Sequence, residues 1–324
     1  MNKDTLKKWI ENPWRIGTSF ARRGWLNKLP DKAYLSIIYR ASLNKKMNWE
    51  NPRTFNEKLQ WLKLYDRNPQ YCEMVDKFAA KAWAEAKIGS EYVVPALAGP
   101  WDSFEEIDFD VLPDQFVLKT THDCGGVIIC KDKKTFDHEK AKAFLTRHLH
   151  RDYYLTCREW PYKDVKPRIF AEKYLAELDD DLKDYKFFCF DGIPKMMFIA
   201  SERQSKDSET KFDFYDMDFN HLPIINGHPN STQTIQKPQN FEKMKELAAV
   251  LSTGIPQLRV DFYECNGRLY LGELTFCHWG GLVPFEPEEW DVTLGSWIRL
   301  PKEEKLKQLR KDKMWKGGVS YGNR

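Results

Sequence analysis

Apolar and polar positions along this chain follow a helical spacing up to about residue 115 and a strand-like spacing for much of the remainder. Residues 32–43 carry a short helical pattern. Thr54 followed by Glu57 forms a capping box, and Phe55, Leu59 and Leu62, with Trp61 beside them, make the apolar side of a helix over 55–66. The next periodic stretch predicts a helix over 71–87 that ends at Gly89, before the apolar run 92–97. From Gln115 the pattern changes to short β-branched or aromatic runs at 116–119, 126–130, 168–175, 185–201 and 211–217, punctuated by Gly, Pro or Asp. Helices are predicted over 138–153 and 240–252, then a hairpin over 257–277, and finally a charged helix over 302–313. This mixture of elements predicts an α/β (α+β) fold, without internal repeats or low-complexity segments.

Composition narrows the class. A chain of 324 residues that is 42% apolar can bury a sizeable core and suits two packed lobes better than one small module. Charge is nearly balanced, at +3 overall, which argues against a dedicated nucleic-acid binder. No window approaches the run of about 20 apolar residues that a membrane helix needs, and the first residues lack the apolar core of a signal peptide. Seven Cys without a CxxC motif read as reduced thiols. Together these features predict a cytoplasmic protein with no transmembrane segment.

The hairpin carries the strongest chemical signal. Its two strands flank Asn266-Gly267 and bear Arg259, Asp261 and Glu273. A three-residue turn over 266–268 would set Asp261 opposite Glu273 and Arg259 opposite Thr275, with two carboxylates and a guanidinium on one face. That set suits Mg²⁺ held on a triphosphate. A two-residue Asn-Gly turn would instead put Asp261 and Glu273 on opposite faces, because one residue of register flips every side chain. A surface hairpin with ordinary charged residues is the plainer alternative.

Two further segments belong with it. Over 116–130 a strand delivers Lys119, a loop follows with Gly125 and Gly126, and a strand returns. Such a flap can cover phosphates with its amides while the lysine neutralises them, though a simple hairpin turn fits the same residues. The pattern is neither a P-loop nor GxGxxG. Over 169–192 an apolar strand runs into Glu172, Lys173, Tyr174 and Leu175, and a second strand begins at Asp184 and Lys186. Extended backbone of this kind can read an adenine edge, and an acid a few residues on can accept from ribose. A strand followed by a solvated acidic turn is the alternative.

Taken in order, these segments resemble the ATP-grasp superfamily and, within it, the TupA-like family named for teichuronopeptide synthesis. The resemblance rests on 51–69, 116–126, 184–192 and 272–276 and extends over roughly 45–285. It implies two α/β lobes clasping ATP. The expected boundaries are a mostly helical N-terminal extension at 1–70, a core at 71–290 and a C-terminal helix and tail at 291–324. Within the core, the flap lobe would span about 115–175 and the metal-binding lobe about 184–285. Family roles, carried over by residue, make Lys77 and Lys119 phosphate contacts with Gly125 and Gly126 closing the flap. Glu172, Lys173 and Leu175 would form the adenine hinge, Asp184 would hold ribose and Lys186 would reach the phosphates. Asp261 and Glu273 would hold Mg²⁺, and Arg259 would stabilise the transferring phosphoryl group.

The implied activity is an ATP-dependent carboxylate–amine ligase acting through an acyl phosphate. The implied partners are an amino acid or similar amine and a uronic acid of a bacterial surface polysaccharide or its precursor. One position departs from the superfamily: Thr275 stands where many members have Asn. His278 nearby, and His122 in the flap, are candidate substrate-side residues. Two rival readings are a glycosyltransferase using Asp216-Met217-Asp218 as a metal motif, and a non-catalytic nucleotide-binding fold.

Overall fold

The computed structural model describes residues 12–175, 183–202 and 209–302. Two antiparallel sheets organise the chain. The smaller contains β1 (Ala96–Trp101), β2 (Phe116–Thr120), β3 (Val127–Cys130) and β4 (Ile169–Lys173) in the order β1-β4-β2-β3. The larger contains β5 (Asp184–Phe190), β6 (Ile193–Ser201), β7 (Lys211–Asp216), β8 (His221–Leu222), β9 (Leu258–Cys265) and β10 (Arg268–Thr275) in the order β10-β9-β5-β6-β7-β8. The helices are α1 (Ile16–Arg22), α2 (Asp31–Leu43), α3 (Phe55–Tyr65), α4 (Gln70–Val75), α5 (Ala79–Ile88), α6 (His138–Leu149), α7 (Tyr154–Cys157), α8 (Phe241–Ser252) and α9 (Glu289–Trp297).

Alternation along β5 explains why the large sheet is covered on both faces. Tyr185, Phe187 and Cys189 join a cluster with α8 residues Phe241, Met244 and Leu247. Phe188 and Phe190 point the other way, into a cluster with Phe55 and Leu59 of α3 and Leu294 of α9. The small sheet packs Phe116, Leu118 and Ile169 on Ala141 and Leu145 of α6. Apolar burial at roughly 25 cal/mol per Å² makes these three clusters the main favourable term.

Local chemistry sets the helix starts. Thr54 Oγ1 accepts from Glu57 N (3.2 Å) while Glu57 Oε2 accepts from Thr54 N (3.1 Å), so the capping box forms and α3 begins where the sequence places it. The single helix expected over 71–87 is two, α4 and α5. Asp76 Oδ1 takes the amides of Phe78 (2.9 Å) and Ala79 (3.0 Å), capping α5, and Lys77 N donates to Thr121 O (2.9 Å). The break thus fixes Lys77 against the flap loop. The strand expected within 92–97 starts only at Ala96, although Val93 makes one parallel bridge to Leu271 on the outer side of β10. Helix α9 has no counterpart in the sequence reading. Its Asp291 accepts from Asn56 N (2.9 Å), closing the start of α3. The helix expected over 302–313 lies outside the described residues except for Lys302.

The hairpin resolves the register question in an unexpected way. Arg268 pairs with Cys265, so the turn is the two-residue Asn266-Gly267, with φ of 50° and 72°. A regular ladder from that turn would place Glu273 on the far face. A bulge between Leu271 and Glu273 adds one residue, Gly272, and restores Glu273 opposite Asp261 and Thr275 opposite Arg259. The expected pairing is present, but the three-residue turn invoked for it is not. A Cβ at Gly272 would lie 2.7 Å from Tyr263 Cε2, so the ring occupies the space any larger residue would need.

Candidate active site

Registers across β5, β9 and β10 align the polar residues in rows. Lys186, Asp261 and Glu273 form one row, and Phe188, Arg259 and Thr275 the next. Lys186 Nζ bridges Asp184 Oδ2 (2.6 Å) and Asp261 Oδ2 (2.5 Å). Arg259 grips Asp261 with Nε and Nη2, both at 2.7 Å, and donates to Thr275 Oγ1 at 3.0 Å. Burial alone pushes the Asp261 carboxyl up, but Arg259 and Lys186 outweigh it and hold the group below its usual range.

Behind this row, Arg259 Nη1 donates to His278 Nδ1 (2.7 Å), and His278 Nε2 donates to Asn226 Oδ1 (2.8 Å). Burial, then Arg259 and Lys186, push the His278 pKa well down, so the ring is neutral. With both nitrogens engaged, His278 orients Arg259. Thr275 does the same through its hydroxyl. Neither residue directs a free ligand atom at a substrate.

Cations approach this row from two elements, Lys119 from β2 of the small sheet and Lys77 and Lys81 from the break before α5 and from α5 itself. A cleft of about 280 Å³ lies between the sheets, lined by Lys77, Lys81, Lys119, Gly125, Glu172 and Glu273, with Phe170, Val94 and Leu271 as its apolar walls. Lys119 is paired with Glu172, and Lys81 donates to Glu172 Oε2 (2.8 Å) and Val94 O (2.7 Å). Burial would raise the Glu172 pKa, yet the two ammonium groups hold it below the ordinary value. Lys77 Nζ sits 3.6 Å from Glu273 Oε1 and also donates to the Asp123 carbonyl in the flap.

The flap loop is pinned from below. Asp123, fully buried, accepts from Thr120 Oγ1 and His148 Nδ1. A Cβ on Gly126 would collide with Thr120 Oγ1, and Gly125 has φ +89°, so the loop depends on both glycines. His122 is buried under the loop and donates through Nε2 to Arg151 O (3.0 Å). Beyond β4, Lys173 N–H donates to Pro95 O (3.0 Å), so an adenine edge read at Lys173 falls to its carbonyl. Leu175 packs with Val94, Cys265 and Tyr270 at the same end of the cleft.

Lys77, Lys119, Gly125, Glu172 and Glu273 therefore line one cleft, and Asp184, Lys186, Arg259 and Asp261 are hydrogen-bonded beside it. The sequence reading missed Lys81, Asp123, His148 and Asn226. Lys81 had a signal, since it lies four residues after Lys77 at the start of a helix. The others are brought in by tertiary structure. Glu159 was also missed: it is buried, and burial pushes its carboxyl up to about 7 despite Lys63 nearby. Asp216, proposed for a glycosyltransferase, instead caps its own turn by accepting from Asp218 N (2.9 Å) and Asn220 N (2.8 Å). Its strand, β7, is three strands away from β9 in the sheet.

A family model described as TupA-like ATPgrasp matches residues 57–299, about three quarters of the chain. The chain belongs to the TupA-like ATP-grasp family. Membership gives this TupA-like protein the ATP-grasp fold expected from its sequence and places it among ATP-grasp enzymes. A search of curated proteins gives no match. Among solved structures, D-alanine–D-alanine ligase from Bacillus anthracis complexed with ATP is similar at 14% identity, covering 72% of this chain and 66% of that one, with a TM-score of 0.38. The chain thus spans just under two thirds of that ligase. ATP-grasp ligase PsnB, complexed with a phosphomimetic variant of minimal precursor, Mg and ADP, is similar at 9% identity, covering 89% and 72%, with a TM-score of 0.41. Membership of the TupA-like family rests on the family match. Among the described residues, no helix is long and apolar enough to cross a membrane.

Proposed function

We propose that this protein is an ATP-dependent carboxylate–amine ligase. In the first step a substrate carboxylate oxygen bonds to the γ-phosphorus as the bond to the β-phosphate oxygen breaks, giving an acyl phosphate and ADP. An amine nitrogen then bonds to the acyl carbon, phosphate leaves with the C–O electron pair, and the nitrogen gives up a proton. The observation that carries this reading is one cleft in which Lys77, Lys81 and Lys119 meet Glu273, with Lys186, Arg259 and Asp261 hydrogen-bonded in the row beside it. Phosphoryl transfer needs placement and charge neutralisation more than a protein nucleophile, and this set supplies both.

Arg259 is the residue we assign to the transferring phosphoryl group, because Asp261, Thr275 and His278 fix its guanidinium. Lys77, Lys119 and Lys186 neutralise phosphate oxygens. Asp184 would serve ribose, and the Lys173 carbonyl with Leu175 would serve adenine. Asp261 and Glu273 face each other on one sheet surface, and the Glu273 side chain is 36% exposed toward the cleft. Asp261 has both oxygens bonded to Arg259 and Lys186, so Glu273 is the carboxylate that would hold Mg²⁺, an ion that takes one or two carboxylates and completes its shell with phosphate oxygens and water. When bound, the ion would neutralise charge on the transferring group.

The carboxylate we propose belongs to a uronic acid of a surface glycan or its precursor, and the amine to an amino acid. The support is the family named for this chemistry. The test is release of ADP and phosphate with Mg²⁺, run over the amino acids against uronic acids, UDP-uronic acids and short oligouronates. Stoichiometric ADP and phosphate that require both a carboxylate and an amine are expected. ADP without free phosphate would show a kinase instead.

A further inference from the structure

A groove away from the nucleotide cleft lies where the N-terminal helices meet the segment after α6. It encloses about 710 Å³ and is lined by Arg22, Asn27 and Ser42 on one wall and by His150, Arg151 and Thr156 on the other. Its floor is Tyr34, whose hydroxyl donates to Leu155 O (3.1 Å) and Thr156 O (3.0 Å), so the two walls are locked at a fixed distance. Helices α1 and α2 supply the first wall, and both precede the residues matched by the family model.

Two of the lining residues connect this groove to the reacting centre. Arg151 Nη1 donates to Cys124 O (3.2 Å), and Cys124 is a flap residue lining the nucleotide cleft. Cys157 packs against Gly280, where a Cβ would lie 2.9 Å from its sulfur, and Leu282 closes the same end. Gly280 and Leu282 belong to the turn that follows β10 and places His278 behind Arg259. The groove therefore runs from the N-terminal helices to the flap on one side and to the end of the catalytic hairpin on the other.

Its chemistry favours an acidic sugar chain. Arg22 is exposed and has no ion pair among the described residues, and Arg151 is 41% exposed at its side chain. Arg151 is shared with the buried Asp123 (3.9 Å) and Asp152 adds a carboxylate, so Arg22 is the cation of this lining left to meet an acidic ligand. Hydroxyl and amide groups at Thr18, Asn27, Ser42 and Thr156 alternate with Ala21, Ile38 and Leu155, a mix that suits rings with polar rims and apolar faces. The lining offers neither an open strand edge for an extended peptide nor an unbroken apolar stripe for an amphipathic helix. The volume lies in the range that encloses a ligand larger than one sugar.

We propose that this groove binds several residues of a uronic acid oligosaccharide and presents one carboxylate to the flap, so that the acceptor is a chain and not a single nucleotide sugar. This rests on the ligase reading above. The experiment compares wild type with Arg22→Glu and His150→Ala, neither of which touches the nucleotide cleft. Binding of tri-glucuronic acid, glucuronic acid and an Asp-rich hexapeptide is titrated directly, and turnover is measured separately with each acceptor. We expect the trimer to bind more tightly than the monomer. We also expect Arg22→Glu to raise the trimer Kd and KM by about 10-fold, the loss of one charge-assisted contact, with ATP affinity unchanged. Equal affinity for trimer and monomer, or an Arg22→Glu variant that binds the trimer normally, would overturn the groove assignment while leaving the ligase reading intact. Hexapeptide binding as tight as the trimer would overturn the sugar assignment. If no acceptor supports ADP release, the ligase reading fails, and the direct titrations still decide the groove.

Discussion

Replacing Gly272 with Ala tests how the carboxylate pair is built. The new Cβ would sit 2.7 Å from Tyr263 Cε2 and 3.1 Å from Cζ, against an ordinary carbon contact of about 3.5–4.0 Å. Nearly an ångström of overlap must be relieved. If the ring of Tyr263 moves, the cost is that of overpacking, about 1–3 kcal/mol. If the bulge closes, residue 272 falls opposite Asp261 and Glu273 turns to the other face of the sheet. Stability by denaturant unfolding and turnover by ADP release distinguish the two responses. We expect a loss of about 1–3 kcal/mol together with a fall in kcat, and recovery of stability when Tyr263→Ala is added, a coupling visible in the double-mutant cycle. A Gly272→Ala variant with wild-type stability and turnover would refute the claim that the ring and the bulge hold Glu273 in place.

The remaining predictions concern charge. Glu273→Gln should lower kcat by at least about 100-fold with the fold intact, as removal of a transition-state electrostatic contact does, and near-normal turnover would remove Glu273 from the site. His278→Ala should lower kcat about 10-fold and leave the KM for ATP nearly unchanged, since only the aim of Arg259 is lost; a change confined to KM would contradict that role. Glu172→Gln leaves Lys81 and Lys119 buried without their carboxylate and should cost the nucleotide-free protein about 3–5 kcal/mol, so the thermal shift on adding ATP should exceed that of wild type. Glu159 has a folded pKa of about 7, above its unfolded value. Its contribution is fully present below the unfolded pKa and is lost as pH rises through 7, about 3 kcal/mol in all. Unfolding of Glu159→Gln should therefore show a gain over wild type at pH 8 that shrinks toward pH 4.5, and a pH-independent difference would exclude Glu159 as the cause.

Much of this site was legible because its parts are local. Thr54 and Glu57, the strand ending at Lys119, the glycines of the flap and the Asn-Gly turn each leave their mark within a few residues. The pairing of Asp261 with Glu273 was legible for the wrong reason, because a glycine within a strand pattern does not reveal whether it forms a bulge, and only Tyr263 from the opposite strand explains Gly272. Lys77 was legible as a residue but not as a helix break, since Asp76 caps α5 from inside an otherwise continuous helical pattern. Asn226, Asp123 and His148 act through side-chain contacts across 25 or more residues of chain, and no periodicity records those.

The strand that carries Glu273 is the outermost of its sheet. Such an edge, with its unspent amides and carbonyls, invites pairing with another molecule. Here the chain entering the small lobe lies along that edge: Val93 bridges Leu271 in parallel, and Val94 packs with Tyr270 and Cys265. The same contact that joins the lobes therefore also covers the open edge of the hairpin that bears Glu273, so separating the lobes would expose an aggregation-prone edge beside the residues we assign to the chemistry.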